Sequence, residues 1–363
     1  MPSASDRLEL EISGLRAYPL REPVSKRTYT IVTIQTRSGL EGYGECRRTT
    51  PAELELARQA TVGQAATAHE VLRQRLNQTP HLEAAINQAV LDLVGKFSKA
   101  PVYQVLGGPT RNKARVLAPL TGSTDSDLLR SLEAARAAGH RAFLAPVPAL
   151  TARNHGQAYV NATRKRLESL RAASGEQCDI VLDGGGALTP GDAASLAKAL
   201  ERFHLLWFDE PCALGNLGAV RKISAETVTP LGFGREIDRG GRYQDLLREE
   251  VVDILRPNLA TNGITQTRKF AALAETYYVA VAPFHNGGPI ASAAALHLAA
   301  SLPNFFIQQI PLPAAEADRQ MRVEIAGAPL EEVREGYVAL PVGPGLGVNV
   351  NQRALAKYEE RAA

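Results

Sequence analysis

A regular alternation of short apolar runs and amphipathic stretches, between Ala114 and Gln309, constrains the fold of this chain more than any other feature. Such alternation is typical of repeated βα units. The apolar runs number eight and lie at residues 115–120, 140–147, 178–183, 204–209, 228–233, 252–256, 278–283 and 304–309. Eight parallel strands with intervening helices close into a barrel, and the active site of such a barrel lies at the C-terminal strand ends. The pattern therefore predicts an α/β barrel.

The first hundred residues have a different pattern. Residues 8–20 and 28–36 read as β-strands, because β-branched residues dominate and recur every second position. Residues 52–76 and 81–98 read as helices. A chain of 363 residues exceeds the usual size of one domain. We therefore expect an α+β domain to precede the barrel.

Composition excludes several classes of partner. The net charge is only +3, and the Lys and Arg residues are scattered, so no nucleic-acid or membrane surface is indicated. No uncharged apolar run approaches the roughly 20 residues that a membrane span needs. Three widely spaced cysteines argue against a disulfide framework and favour a reducing compartment. We expect a soluble, cytoplasmic protein.

Carboxylates end two consecutive predicted strands. Asp183 follows the run Ile180–Leu182, and Asp209 and Glu210 follow the next run. Carboxylates on neighbouring strands repel one another unless they share a proton or a cation, and Mg²⁺ suits an all-oxygen site. Polar residues also follow the later runs, at Arg235-Glu236, Asn258 and His285. The pattern places the candidate chemistry at one mouth of the barrel.

Longer motifs resemble the enolase superfamily, in the mandelate racemase-like branch that includes sugar-acid dehydratases. The matching stretches are GYGEC (42–46), AAINQAVLDLVGKFSKAPVYQVLGG (84–108), DGGG (183–186), FDEP (208–211), VDILRPNLATNGIT (252–265), APFHNGGPIASAAALHLAASLPN (282–304) and YVALPVGPGLGV (337–348). The resemblance implies a modified TIM barrel, (β/α)₇β, over residues 114–324. It also implies an α+β capping domain over residues 1–113, completed by residues 325–363, and a homo-oligomer.

In that family three barrel carboxylates bind Mg²⁺, and Mn²⁺ is the alternative metal cofactor. The metal stabilises the enediolate that forms when a base removes the proton beside a substrate carboxylate. The resemblance assigns Asp183 and Glu210 as two ligands. The family's Gly-Glu motif on the fifth strand reads Gly234-Arg235-Glu236 in this chain. Because neighbouring strand residues point to opposite faces, either Glu236 completes the metal site or Arg235 occupies the position of the cation.

The catalytic bases also depart from the family pattern. The second strand lacks the usual Lys, and Asn258 stands where the Asp that pairs with the His of the seventh strand is expected. His285 is the best candidate base, with Asn258 orienting its ring. Because only one base is evident, dehydration of a hydroxy acid or sugar acid is preferred. Racemisation or epimerisation would need a second base, and a non-catalytic or repurposed homologue is the remaining alternative.

Arginines complete the set of predicted site residues. The resemblance places Arg21, Arg27 and Arg47 in loops of the capping domain that close over the barrel mouth. Guanidinium groups bind carboxylates through paired hydrogen bonds. With Arg235, these residues are the predicted binding groups for a small-molecule carboxylate substrate.

Overall fold

The N-terminal part of the chain forms a three-stranded antiparallel sheet covered by helices. The computed structural model describes residues 9–149, 156–237, 240–311 and 313–360. The sheet has the order β1-β2-β3, with β1 (Ile12–Arg21), β2 (Thr28–Thr36) and β3 (Glu41–Cys46). The helices that follow are α1 (Pro51–Thr61), α2 (His69–Arg75), α3 (Pro80–Phe97) and the short α4 (Val102–Val105).

Two glycines allow β3 to lie directly on α3. A Cβ atom at Gly44 would stand 1.9 Å from the backbone oxygen of Ala85, and one at Gly42 would stand 2.2 Å from that of Ala89. Neither distance leaves room for a side chain. The glycines of the GYGEC motif are therefore required by close packing of the sheet on the helix.

Residues 113–309 form the predicted barrel. Its strands are β4 (Lys113–Pro119), β5 (Ala142–Pro146), β6 (Asp179–Asp183), β7 (Trp207–Asp209), β8 (Leu231–Phe233), β9 (Ile254–Leu255), β10 (Ala280–Val281) and β11 (Gln308–Gln309). The helices between them are α5 (Asp125–Ala137), α6 (Gly156–Ser174), α7 (Pro190–Ala199), α8 (Leu217–Ser224), α9 (Gly240–Arg248), α10 (Leu259–Glu275) and α11 (Pro289–Ser301).

The strands pair in parallel from β4 through β10, and β11 pairs with β4. Bridges from Val281 to Phe305 and from Phe284 to Gln309 close the ring. Within the described residues, eight strands therefore alternate with seven helices, and the predicted fold class, a (β/α)₇β barrel with an α+β capping domain, is confirmed. Each of the eight predicted runs overlaps a strand, although most of the strands are shorter than predicted.

Side chains alternate between the barrel interior and the surrounding helices. The interior contains apolar side chains from most of the strands: Leu117, Ala142, Leu144, Val181, Trp207, Ile254, Ala282 and Ile307. Phe208, the neighbour of Trp207, packs instead in the layer between strands and helices. Because alternate residues share a face, Asp209 lies on the interior side with Trp207.

The C-terminal residues contact both parts of the molecule. After α12 (Glu316–Ala326), the hairpin of β12 (Val333–Arg334) and β13 (Tyr337–Ala339) pairs with barrel strand β4. The last helix, α13 (Gln352–Tyr358), leads back to β1, where the N–H of Glu360 donates to the carbonyl oxygen of Pro19 at 2.8 Å. None of the helices in the described ranges is long and apolar enough to span a bilayer.

Two polar side chains of the capping domain complete helices of the barrel. Glu45 accepts hydrogen bonds from the N–H groups of Ile290 and Ala291, both at 3.2 Å, at the start of α11. Asn87 accepts from the N–H of Ile264 at 3.0 Å, where α10 is interrupted by Gly263 with φ +61°. Such acceptors satisfy N–H groups that a helix start leaves unpaired.

The close contact of β3 on α3 predicts an asymmetry between two glycines. Gly44→Ala should lower the free energy of unfolding by at least about 1–3 kcal/mol, because the new Cβ would overlap the Ala85 carbonyl. Gly14→Ala, in β1, is the matched control, since nothing lies within 4 Å of its Cβ position. Urea unfolding of both variants tests this, and an equal loss of stability would contradict it.

Candidate functional site

At the C-terminal mouth of the barrel, a guanidinium group lies against two carboxylates. Asp183 ends β6 opposite Asp209, which ends β7, and Arg235 follows β8. Arg235 Nη1 donates to Asp183 Oδ2 at 3.0 Å, and Nη2 donates to Oδ1 at 2.5 Å. Paired bonds of this kind are the strongest arrangement of an arginine with a carboxylate. The sequence left open whether Arg235 or Glu236 points into the mouth, and in the structure it is Arg235, which faces Asp183.

Glu236 lies outside this group. The backbone turns at Gly234, whose φ is +128°, and the Tyr243 hydroxyl fixes the turn by donating to the Gly234 carbonyl oxygen at 2.9 Å. The side chain of Arg235 enters the mouth, whereas Glu236 is exposed. The three predicted metal ligands, Asp183, Glu210 and Glu236, are therefore not brought together.

Glu210 accepts hydrogen bonds from the backbone of the turn at Gly234 and Arg235. Its Oε1 accepts from the N–H groups of Gly234 and Arg235, both at 2.7 Å, and its own φ is +41°. Burial raises the pKa of Glu210 to about 7, and the nearby Asp209 acts in the same direction, against the opposing effect of the Arg235 contacts. Glu210 therefore positions the backbone that carries Arg235.

A second guanidinium lies deeper in the barrel. Arg256 is fully buried, and its Nε donates to Asp209 Oδ1 at 2.9 Å. Its other nitrogens donate to the carbonyl oxygen of Ala282 at 2.6 Å and to Gln309 Oε1 at 2.5 Å. The Trp207 ring centre is 5.2 Å from the guanidinium carbon, within cation–π range. Arg256 is thereby fully occupied by partners from β7, β10 and β11 and the residues that follow them.

Asp209 lies between the two guanidinium groups. Its Oδ1 accepts from Arg256 and also from Trp207 Nε1 at 2.8 Å, while its Oδ2 is 3.4 Å from Arg235 Nε. Asp209 and Arg256 are thus two site residues to which the sequence alone gave no role. The signal that could have found them is the two-residue period of a strand, which puts Asp209 on the face of Trp207 and Arg256 on the face of Ile254.

The residues at this mouth do not fit the Mg²⁺ that the family implies. Mg²⁺ needs oxygen ligands in near-octahedral geometry at about 2.0–2.1 Å. Both carboxylate oxygens of Asp183 are bonded to Arg235, and Glu210 Oε1 is bonded to two backbone N–H groups. Asp209 Oδ2 is buried without a hydrogen bond, but it faces the positive charge of Arg235, 3.4 Å from its Nε. In the ranges that the structure describes, no group of three His, Cys, Asp or Glu residues could hold a metal ion.

His285, the predicted base, is hydrogen-bonded to residues other than the carboxylates and arginines of the mouth. His285 is completely buried; its Nδ1 accepts from the N–H of Gly287 at 3.2 Å, and its Nε2 lies 3.3 Å from the Ser292 hydroxyl. Burial lowers the pKa of His285 to about 3, although Glu331 opposes the shift. The ring of the preceding residue, Phe284, packs on Arg256 together with Trp207, with 5.5 Å from the Phe284 ring centre to the guanidinium carbon.

Asn258 does not orient His285. Its Oδ1 accepts from the N–H of Ala260 at 3.0 Å, so the side chain is the N-cap of α10. Among the described residues no hydrogen bond joins Asn258 to His285. The role of His285 as a base stays a prediction, and its observed contacts are with Gly287 and Ser292.

Of the predicted binding arginines of the capping domain, Arg21 and Arg47 are exposed, whereas Arg27 is half-buried. Arg21 pairs with Glu360 at 2.7 Å, and the Arg47 guanidinium is 3.4 Å from His81 Nδ1. Arg27 is 3.9 Å from Glu22. Arg27 Nη1 is buried without a hydrogen-bond partner among the described residues, and its charge acts together with burial to lower the pKa of His285. Of the four predicted arginines, Arg235 is the one bonded to Asp183.

Residues 21–27, termed the capping loop, are held by buried charges on α12, the helix that follows the barrel. Asp318, on α12, accepts from the N–H groups of Val24 at 2.8 Å and Ser25 at 2.9 Å. Arg322, one turn later, donates to Glu22 at 2.7 Å and to Glu331 at 2.7 Å. Ion pairs this deeply buried are costly to break, because the remaining charge loses its partner. The capping loop is thus fixed to α12.

Releasing one contact should loosen the capping loop without unfolding the barrel. In Asp318→Ala we expect amide exchange at Val24 and Ser25 to speed up about tenfold or more, since both N–H groups lose a charged acceptor. Glu316→Ala is the matched control on the same helix, because Glu316 is exposed and pairs with Arg319. Hydrogen–deuterium exchange measures both. Equal protection in the two variants would contradict the assignment.

The same contact has a defined pH dependence. Burial alone would raise the pKa of Asp318, but the N–H groups of Val24 and Ser25 outweigh it, so that the pKa lies below its ordinary value. A carboxylate with a lowered pKa stabilises the folded state above its unfolded pKa of about 3.9, and this stabilisation is lost as the pH falls further. Protection of Val24 should therefore be constant from about pH 5 to 8. Loss of protection within that range would contradict it.

Comparison with known proteins agrees with this architecture. The family model for the mandelate racemase / muconate lactonizing enzyme N-terminal domain matches residues 19–107, and the model described as enolase C-terminal domain-like matches residues 127–354. A crystal structure of a mandelate racemase/muconate lactonizing enzyme-like protein from Rubrobacter xylanophilus superposes with a TM-score of 0.86 at 22% identity. The superposition covers 97% of this chain and 98% of that one.

Relatives with named activities are dehydratases of sugar acids. The D-galactonate dehydratase of Ralstonia pickettii is 30% identical over 289 residues, which cover 77% of this chain and 74% of that protein. A D-mannonate dehydratase of Caulobacter vibrioides is 28% identical over 309 residues, which cover 77% and 75%. The chain belongs to the enolase superfamily, in its mandelate racemase-like branch.

Proposed function

We propose that this chain binds a small hydroxy carboxylate of the sugar-acid class at the mouth of its barrel and catalyses its dehydration. The observation that carries the proposal is the Arg235–Asp183 pair, which lies at the strand ends where a barrel of this kind places its chemistry. The side chains of Arg235 and Asp183 are 16% and 18% exposed, so a ligand can reach them. The named activities of the relatives support the class of substrate and the reaction.

The pair offers complementary groups to such an acid. Arg235 Nη1 and Nη2 each carry a second N–H besides the one donated to Asp183, and these can donate to the carboxylate of the acid. The remaining lone pairs of Asp183 accept hydrogen bonds from sugar hydroxyl groups. When the proton beside the carboxylate leaves, negative charge accumulates on the carboxylate oxygens, and a guanidinium placed there stabilises it. Asp183 is the carboxylate at the mouth that can take this proton and return it to the hydroxyl on the next carbon. The proton and the hydroxide then leave together as one water, and the enol product becomes a 2-oxo acid.

A second candidate function is binding of the acid without turnover. The observation that favours it is the position of His285, whose two ring nitrogens contact Gly287 and Ser292 in a fully buried cluster. Among the described residues, no hydrogen bond joins this ring to Asp183 or Arg235. The two candidates differ in one product, since only dehydration yields a 2-oxo acid.

Binding of an acid sugar at the barrel mouth should depend on Arg235. In a screen of acid sugars that includes galactonate and mannonate, we expect at least one acid to raise the melting temperature of the wild type. Arg235→Gln should weaken its binding by about 10- to 100-fold, because hydrogen bonds to a charged group are lost. Arg353→Gln, at an exposed arginine on α13, is the control and should bind as the wild type does.

The readouts separate the two functions. Calorimetric titration measures binding, and a carbonyl-specific assay measures the 2-oxo acid. Binding together with a 2-oxo acid supports dehydration, and binding without it supports the second candidate. If no acid sugar binds, or if Arg235→Gln binds as tightly as the wild type, the assignment of this mouth as the binding site is wrong.

A further inference from the structure

The charges at the barrel mouth are balanced within the protein. Asp183 and Asp209 contribute two carboxylates, and Arg235 and Arg256 contribute two guanidinium groups in contact with them. The side chains of Asp209 and Arg256 are fully buried. Glu210 is a further carboxyl group at this mouth, and its Oε1 accepts from the backbone N–H groups of Gly234 and Arg235. A divalent ion entering between the other four residues would add two positive charges to side chains whose charges already cancel. Such an ion gains little from the carboxylates unless a guanidinium leaves.

Most hydrogen-bonding groups at the mouth already have partners within the protein; the exception among the described residues is Asp209 Oδ2, which is buried and accepts no hydrogen bond. Arg235 Nη1 and Nη2 occupy the two oxygens of Asp183, its Nε faces Asp209 Oδ2, and its backbone N–H is bound by Glu210. A metal ion could reach Asp183 only by displacing the guanidinium from a largely buried position. The displaced group would lose its partners, which is unfavourable for a desolvated charge.

Arg235 stands where the resemblance to the family implies a glutamate, and this difference in charge is compatible with the carboxylates around it. Arg235 follows Gly234, just after the fifth barrel strand, at the position where the resemblance to the family implies a Gly-Glu motif. Replacing a carboxylate by a guanidinium changes the local charge by two units, the same change that a divalent ion would bring. Arg235 thus supplies a fixed positive charge between the ends of β6, β7 and β8.

We propose that Arg235 replaces the divalent cation in this chain, so that the ends of β6, β7 and β8 are held together by a guanidinium and the mouth of the barrel binds no Mg²⁺ or Mn²⁺. The proposal concerns the resting protein and does not depend on the acid-sugar function. A chain that binds no acid sugar can still lack the metal site, and a chain that binds one can do so with or without a metal.

Metal binding is measured directly with Mn²⁺, whose electron paramagnetic resonance signal reports the free ion. We expect the chelator-treated wild type to leave the Mn²⁺ signal unchanged up to millimolar concentration. Binding of equal strength in the wild type and in Asp183→Asn would also agree with the proposal, because it would place the ion elsewhere on the protein. Mn²⁺ binding by the wild type that is lost in Asp183→Asn would overturn the proposal.

Replacing Arg235 by the glutamate of the family motif should create a metal site. Arg235→Glu places a third carboxylate beside Asp183 and Asp209, and we expect it to bind Mn²⁺ at least about tenfold more tightly than the wild type and to show a rise in melting temperature with Mg²⁺. Arg235→Met is the control: it removes the guanidinium without adding a ligand and should respond less than Arg235→Glu.

The titration of the wild type and the titration of Arg235→Glu test the proposal independently. A folded Arg235→Glu variant that binds no more Mn²⁺ than Arg235→Met would overturn the assignment of Arg235 to the position of the cation. If Arg235→Glu fails to fold, the wild-type titration with Asp183→Asn still decides the proposal. Neither readout uses catalytic activity, so the outcome is independent of the acid-sugar screen.

Discussion

The arrangement of Asp209 between two guanidinium groups is the interaction on which the barrel mouth depends. Inside the barrel, Arg256 donates to Asp209 and also to Ala282 and Gln309. At the rim, Arg235 pairs with Asp209 and with Asp183 at the end of β6. Breaking a buried ion pair on one side leaves an uncompensated charge, which costs about 3–5 kcal/mol. These residues therefore act as one unit, and the position of each strand end is coupled to the others through it.

The architecture was predictable because it rests on local patterns. Each barrel strand is buried on both faces, so it reads as a short apolar run, and the eight runs were found where the strands lie. The resemblance of long motifs to one superfamily added the capping domain. Neither inference needed the direction of any single side chain.

The chemistry was less predictable because it depends on single-residue orientation. Whether Arg235 or Glu236 faces the mouth is set by the turn at Gly234, and whether Asp209 or Glu210 faces inward is set by the end of β7 and the positive φ of Glu210. A shift of one position exchanges the faces of a strand, and the sequence does not state where the backbone leaves the strand. A fold can thus be retained while the charges of its site are replaced.

The contacts of Glu45 and Asn87 bear on how such proteins can be recombined. Each side chain belongs to the capping domain, yet each completes a helix of the barrel by accepting from its backbone N–H groups. A barrel grafted onto a foreign cap would begin α11 and the second half of α10 with unpaired amides. Chimaeras that exchange caps to change specificity should therefore carry an acceptor at each of these two positions, whatever else differs between the parents.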